Sequence, residues 1–300
     1  MVGSKRVWIV FAMIAPTLAI AFFIVPLVYD AILSFQKVSI LEAGHFGSWT
    51  GWSNYSNAFG GGLGHLLLNT ALWQATVPAI SKLCLGIALA LVLRSRAIRT
   101  SWVRALGRTM LVLVWAVPPV AATALWRFML SPNIGLVNEL ATATGLGSGK
   151  LDPLATVSGS WPAVIGLIVW NGLPFAVLVL LGAFESIPEE LYEASALDGA
   201  SHWQQTWKIT LPLSIQTVGV LCFLMFVELF NNFVYVWLTT GGGPGYETQV
   251  LATAMYSAAF VNYNLGAGAA IGVVMSLMMG AVGVAYYALF SRRRTIHATR

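Results

Sequence analysis

Six stretches of this 300-residue sequence are each long and apolar enough to cross a lipid bilayer, and that repetition leaves few alternatives for the fold. A spanning helix needs about 20 mostly apolar residues, because a rise of about 1.5 Å per residue has to cover a hydrocarbon layer about 30 Å thick. Such windows run from Val7 to Tyr29, Asn69 to Leu93, Leu106 to Leu130, Pro162 to Phe184, Leu213 to Leu238 and Leu265 to Phe290. With 58% hydrophobic and 9% charged residues, the chain has too few charges to cover this apolar surface in water. Lipid must cover it, and the expected fold class is an all-α polytopic membrane protein with six transmembrane helices. Ala19-Ile20-Ala21 resembles a signal-peptidase site, but the first window outruns the roughly 7–15 residues of a secretory signal and reads as a retained span.

The Lys/Arg bias sets the expected orientation. Arg94, Arg96, Arg99, Arg104 and Arg108 fill the link between the second and third windows, Lys5 and Arg6 precede the first, and Arg292, Arg293 and Arg294 follow the sixth. The opposite loops carry only Lys37 and Lys150, so both termini are expected in the cytoplasm. Trp49, Trp52, Tyr55 and Trp161 fall at the outer edges, as an interfacial aromatic belt does. The net charge of +5 suits an anionic leaflet, and nucleic acid is not an expected partner. Cys84 and Cys222 lie in apolar windows and read as small hydrophobes. Gly268 and Gly272 have the small-xxx-small spacing that lets helices approach closely. The 131–160 connection, rich in Gly, Ser and Thr, has room for a short outer helix.

Enzyme motifs fail on inspection. Gly145 to Lys150 is one residue short of a phosphate loop and lacks the following Ser or Thr. His45, His65, His202 and His297 are scattered without i, i+4 partners, so no catalytic residue, metal site or cofactor is expected in this chain.

One connection, 186–212, differs from the apolar windows around it. Ser186 and Glu189 have capping-box spacing, Pro188 suits a first turn, and Glu189 and Glu190 complement a positive helix end. Gly199 supplies a bend, after which Ser201 to Lys208 is expected to form a second short helix before Pro212 opens the fifth span. Leu191, Ala194, Ala196 and Leu197 make a small, partly apolar face of the kind a partner's groove holds.

Here the sequence resembles a known family. Glu193-Ala194-Ser195, then Gly199, Ile209 and Leu211-Pro212, are similar to the signature loop of ATP-binding-cassette importer permeases, with Ser195 where the family usually has Ala. The resemblance implies a type I importer permease fold in which 1–300 is a single transmembrane domain and 186–212 a cytoplasmic coupling loop. It implies that Glu193, Ala194, Ser195, Asp198, Gly199 and Ala200, followed by Ile209, Leu211 and Pro212, couple to an ATPase subunit. A second segment, Leu238-Thr239-Thr240-Gly241-Gly242-Gly243-Pro244 with Glu247-Thr248, resembles the outer loop of the first permease of maltose- and glycerol-phosphate-type importers. That likeness extends to Pro26, Tyr29, Ser34-Phe35, Asn54-Tyr55, Asn69-Thr70, Tyr256 and Phe260. It implies binding-protein contact at Gly241, Gly242, Gly243 and Pro244, where glycines and a proline make a tight turn. The implied partners are a second permease, two ATPase subunits carrying ATP and Mg, an extracytoplasmic substrate-binding protein, membrane lipid and a sugar substrate. The implied location is the bacterial inner membrane.

Polar residues inside spans usually face a cavity or a partner helix. Trp170 and Asn171 in the fourth window, and Glu228, Asn231, Asn232, Phe233, Tyr235 and Trp237 in the fifth, form a mixture that suits a sugar: polar groups for hydroxyls and rings for apolar faces. The amides serve equally well to bond neighbouring helices. Lys82, near mid-depth in the second window, needs a partner, either Glu228 or a residue of the second permease. Arg127, near the outer end of the third window, reads as a water-facing residue or an interface anchor. A disaccharide or oligosaccharide is the first expectation for the ligand and glycerol phosphate the second, since no Arg cluster marks a phosphate site. The rival class is an ion-coupled secondary transporter, which calls for mid-membrane carboxylates or broken helices in two pseudo-symmetric halves; only Glu228 is so placed, and no halves repeat in the sequence.

Overall fold

A computed structural model describes residues 13, 16–18, 20–42, 47–60, 62–95, 100–145 and 151–297. Lys5, Arg6, Ala19, His45, Arg96, Arg99, Lys150 and the start of the first window lie outside the described residues. In chain order the helices are α1 (Val25–Leu33), α2 (Ser53–Phe59), α3 (Leu63–Arg94), α4 (Ser101–Trp115), α5 (Pro119–Met129), α6 (Leu136–Ala143), α7 (Val157–Glu185), α8 (Glu189–Leu197), α9 (His202–Phe230), α10 (Val234–Thr239), α11 (Leu251–Val261) and α12 (Leu265–His297). Two short strands, β1 (Gln36–Lys37) and β2 (Ser48–Trp49), pair antiparallel. Among the described residues five helices are long and apolar enough to cross a membrane, and the number is six if one bent pair counts as a span.

That bent pair corrects the third window. Instead of one helix over Leu106–Leu130, α4 and α5 meet at 92°. Val117-Pro118-Pro119 explains the break: two adjacent prolines remove two N–H donors, and a residue before proline is steered out of the helical region. The fifth window is corrected too. Its helix begins eleven residues earlier than expected, at His202, and stops at Phe230, and α10 starts afresh at Val234.

Other prolines are accommodated without a break. Pro26, Pro78 and Pro212 each follow, one residue on, a π-helical turn: Ile20–Ile24, Asn69–Thr76 and Thr206–Thr210. A proline clashes with the carbonyl four residues before it, and widening that turn relieves the clash while the helix runs on.

The chain divides into two compact units, Leu67–Val250 and a second comprising Met1–Leu66 with Leu251–Arg300. In the first, α7 is the central helix, with Val164, Leu167, Ile168, Val177, Leu180 and Phe184 fully buried. It packs on α3 through small residues; a Cβ at Gly86 would lie 3.1 Å from Leu180 and 3.4 Å from Ala176. In the second unit, Gly268 brings α12 against Ala259, where a Cβ would come within 2.7 Å, so the small-residue spacing is used for packing. Asn54 donates there to the Ser34 and Gln36 carbonyls at 2.9 and 2.8 Å.

Breaks inside the bilayer free backbone groups that lipid cannot satisfy. In the Leu67–Val250 unit, side chains satisfy them. Asn171 Nδ2 donates to the Val117 carbonyl at the α4–α5 break, 3.1 Å away. At the α9–α10 break, Gln74 Nε2 donates to the carbonyls of Leu229 (2.9 Å) and Asn232. Asn232 Oδ1 accepts from Tyr235 N at 3.2 Å and starts α10, and Arg127 donates to the Leu238 carbonyl at 3.1 Å near its end. Arg127 is thus a helix cap in addition to any anchoring role.

Replacing the fully buried Gln74 by Leu keeps its bulk, strands the Asn232 carbonyl and leaves that of Leu229 with the Asn232 N–H as its donor. It should lower stability by about 1–3 kcal/mol for the stranded group and lower the Tm in detergent; an unchanged Tm would refute the capping role.

Candidate functional site

The 186–212 segment is built around an inward-facing tyrosine. Pro188 stands at the N-cap of α8 with no side-chain cap, which makes Glu189 the first helical residue, not the third. The expected Ser186–Glu189 capping box therefore does not form: Ser186 still belongs to the end of α7 and its hydroxyl donates to the Ala183 carbonyl at 2.7 Å. The box appears instead at the start of α9, where Gln204 N donates to Ser201 Oγ (3.3 Å) and Ser201 N to Gln204 Oε1 (2.8 Å). The expected second short helix is not separate; it runs through the π turn into the fifth span.

Between these helices Gly199 takes φ +80°, with Gly199 N bonded to the Ala196 carbonyl (3.0 Å) and Ala200 N to that of Ser195 (2.9 Å). This pair of bonds is the Schellman closure, and it needs a left-handed residue at that place.

Tyr192 and Ser195 face inward on α8. The Tyr192 hydroxyl lies 2.9 Å from Thr210 Oγ1 on α9 and accepts from Arg94 of α3 at 2.7 Å, while the guanidinium sits 4.4 Å from the ring centroid. Buried Gln205 of α9 donates to the Tyr192 carbonyl (3.0 Å) and to Ser195 Oγ (2.9 Å). An alanine at 195 would lose the second bond, so the departure from the family residue has a local use. A cavity of about 540 Å³ lies beside this cluster, bordered by Glu189, Glu193 and His202 among others. On the other face Ala194, Asp198 and Gly199 are exposed, and Leu197 is 91% exposed; Glu193, also exposed, stands at the cavity's rim. Ile209 is half-buried in the π turn, and Leu211 and Pro212 continue the helix beyond it. At the same end of α7, Glu185 pairs with Arg108 of α4.

Further along α9, Glu228 Oε2 lies 4.0 Å from Lys82 Nζ. Lys82 is 2% exposed, whereas the Glu228 side chain is 58% exposed, so the cation is enclosed and its counter-charge opens outward. Gly172 makes room for the lysine, since a Cβ there would come within 2.9 Å of Nζ and 3.0 Å of Cδ.

The sequence-predicted pathway residues divide into two groups. Buried Asn171 and Tyr235 bond each other, the Tyr235 hydroxyl donating to Asn171 Oδ1 at 2.7 Å, and support the breaks. Asn231 is exposed and donates to the Val227 carbonyl at 2.8 Å; Phe233 and Trp237 stack at 5.3 Å; Trp170 meets Trp126 at 6.2 Å.

The turn after α10 is held from within. Gly241, Gly242 and Gly245 take positive φ, and the Gly243–Pro244 bond is cis. Thr248 Oγ1 lies 2.7 Å from Thr240 Oγ1 and donates to the Gly243 carbonyl at 2.6 Å. Asn69 Nδ2 donates to the carbonyls of Glu247 (2.8 Å) and Gln249 (2.9 Å). Gly242 is buried, Gly243 and Pro244 are half-buried and Gly241 is exposed. Sequence reasoning missed Gln74, Arg94, Tyr192, Gln205 and Thr210, whose bonds join separate helices and leave no local motif in the sequence. Among the described residues no group of three or more His, Cys, Asp or Glu is gathered where it could hold a metal.

Comparison with known proteins adds a family. The profile described as "Binding-protein-dependent transport system inner membrane component" matches residues 82–296. The diacetylchitobiose uptake system permease protein DasB of Streptomyces coelicolor is 33% identical, over 87% of this chain and 79% of that protein. The maltose/maltodextrin transport system permease protein MalF of Escherichia coli is 30% identical over 78% of this chain and 48% of its own length. A solved bacterial ABC transporter involved in import of the acidic polysaccharide alginate superposes with a TM-score of 0.81, covering 96% of each chain; at 24% identity this shows the fold alone.

Glu228→Gln should destabilise the protein, because it leaves the enclosed Lys82 cation without its counter-charge. Adding Lys82→Met should restore much of the loss. Thermal unfolding in detergent reads both, and a double variant no more stable than Glu228→Gln alone would contradict the pairing.

Proposed function

The chain belongs to the family of binding-protein-dependent transport system inner membrane components, and from that premise we propose that it forms half of the translocation path of an ATP-driven carbohydrate importer. It is a multi-pass protein of the inner membrane and a permease, not an enzyme. In the proposed complex it pairs with a second permease, two ATPase subunits that hold ATP and Mg, and an extracytoplasmic binding protein. Both termini and the 186–212 segment lie in the cytoplasm, and the turn after α10 lies outside.

The observation that carries this reading is the two-faced α8. Its exposed face offers Glu193, Ala194, Leu197 and Asp198 to a partner. Its inner face is tied through Tyr192 to Arg94 on α3 and Thr210 on α9. A push on α8 therefore reaches two spans at once, and these spans carry Lys82 and Glu228. Closure of the ATPase pair moves α8 and opens the path outward; hydrolysis resets it. Glu228, Asn231, Phe233, Trp237 and Trp170 are the pathway contacts, with Asn171 and Tyr235 holding their backbone.

The substrate is proposed to be a disaccharide or oligosaccharide, which accords with the names of the diacetylchitobiose and maltodextrin relatives. We assign the chain to the first-permease position of the maltose and glycerol-phosphate type on the strength of its outer turn.

Reconstitution of the whole complex in proteoliposomes tests this directly: a saccharide-loaded binding protein should stimulate ATP hydrolysis and drive uptake. Uptake that survives ATP depletion and collapses with the proton gradient would contradict it. Within that assay, Gly199→Val should lower uptake per ATP hydrolysed, because a β-branched residue resists φ +80°. Gly199→Asn, which tolerates that region, should lose less; equal behaviour of both variants and the parent would contradict the coupling role.

A further inference from the structure

We infer that Tyr246 is an aromatic anchor that the extracytoplasmic binding protein grips, an inference that rests on the orientation and partners proposed above. Tyr246 has φ +69°, a conformation that disfavours any Cβ and that glycine would adopt freely. The ring does not offset this inside the chain, since Tyr246 is 72% exposed. A bulky residue is therefore kept where the backbone asks for glycine and the fold gains little from the side chain. Such outliers occur where the surroundings over-determine a conformation for use elsewhere.

The surroundings do over-determine it. Glu247 N donates to the Pro244 carbonyl at 2.9 Å, Gln249 N to that of Tyr246 at 3.0 Å and Thr248 N to that of Gly242 at 3.1 Å. The Thr240–Thr248 pair closes the turn from one side and Asn69 holds its far strand from the other. The ring thus projects from a rigid frame. Rigid, amphipathic aromatics with two side-chain torsions dominate binding surfaces because little freedom is lost when they are covered.

Position and charge choose the occupant. The turn is joined through α10 to α9, a helix of 29 residues, about 43 Å long, that starts inside the 186–212 segment and is long enough to cross the bilayer. If that segment meets the ATPase inside, the turn faces outside, where a binding-protein-dependent system receives its cargo. A membrane-surface role fits less well: residues 239–250 contain no Lys or Arg, and exposed Glu247, the next residue in the chain, opposes an anionic headgroup layer.

The test compares Tyr246→Gly and Tyr246→Ala with the parent in the complete reconstituted complex, titrating saccharide-loaded binding protein and reading ATP hydrolysis. Tyr246→Gly removes the ring and relaxes the backbone. It should keep or raise thermal stability and leave basal hydrolysis unchanged, while the half-saturating concentration of binding protein rises about tenfold. Tyr246→Ala should show the same rise. An unchanged half-saturation in the Gly variant overturns the inference. Unchanged half-saturation with a fall in thermal stability only in lipid overturns it in favour of a bilayer contact. A parent complex that the binding protein fails to stimulate overturns the proposed function, and this inference with it.

Discussion

Each place where a span breaks exposes backbone carbonyls and N–H groups to a solvent that cannot bond them, and the rest of the Leu67–Val250 unit is arranged to meet that demand. An unsatisfied group in hydrocarbon costs several kcal/mol. Gln74, Asn171, Asn232 and Arg127 answer it at the two breaks, and Asn69 holds the turn that follows. These side chains fix where α4, α9 and α10 end, and so fix which faces of those helices remain for other tasks.

The consequence is a division of labour within one helix pair. Near its start, α9 is clamped to α8 by Gln205 and Thr210; near its end it carries Glu228 against the enclosed Lys82. The π turn over Thr206–Thr210 lets Pro212 sit in the helix without a kink large enough to separate these regions. Displacement at one end of a continuous helix is then carried to the other, which is the mechanical requirement for a permease driven by a separate ATPase. Arg94 gives α3 the same connection through Tyr192, so both spans that hold the Lys82–Glu228 pair are linked to α8.

Much of this was legible in the sequence. The hydropathy windows Pro162–Phe184 and Leu265–Phe290 fall within α7 and α12, which run on beyond them to start at Val157 and to end at His297, and a short helix, α6, does lie in the 131–160 connection. The bend between α4 and α5 was written in Pro118-Pro119 but hidden by hydropathy, which does not distinguish a straight helix from a broken one. The misplaced capping box had a local cause, since Ser186 was already engaged by the end of α7. The clamps were not legible at all. Gln74 reaches partners 155 and 158 residues away, and Asn69 reaches partners 178 and 180 away; no local pattern encodes such pairings. For Asn171 and Tyr235 the residue types suited sugar and backbone equally, and only geometry revealed the bond between them.

The central claim is that the outer face of α8 is gripped by an ATPase subunit on the cytoplasmic side. Its most direct measurement places a single cysteine at Leu197 in a chain freed of Cys84 and Cys222, and follows cross-linking and labelling in sealed vesicles of known orientation. The account predicts that Cys at 197 cross-links to the ATPase subunit, and that when that subunit is stripped away it is labelled by an impermeant reagent only from the cytoplasmic side. Labelling from the outer side, or no cross-link to the ATPase in an actively transporting complex, would contradict it.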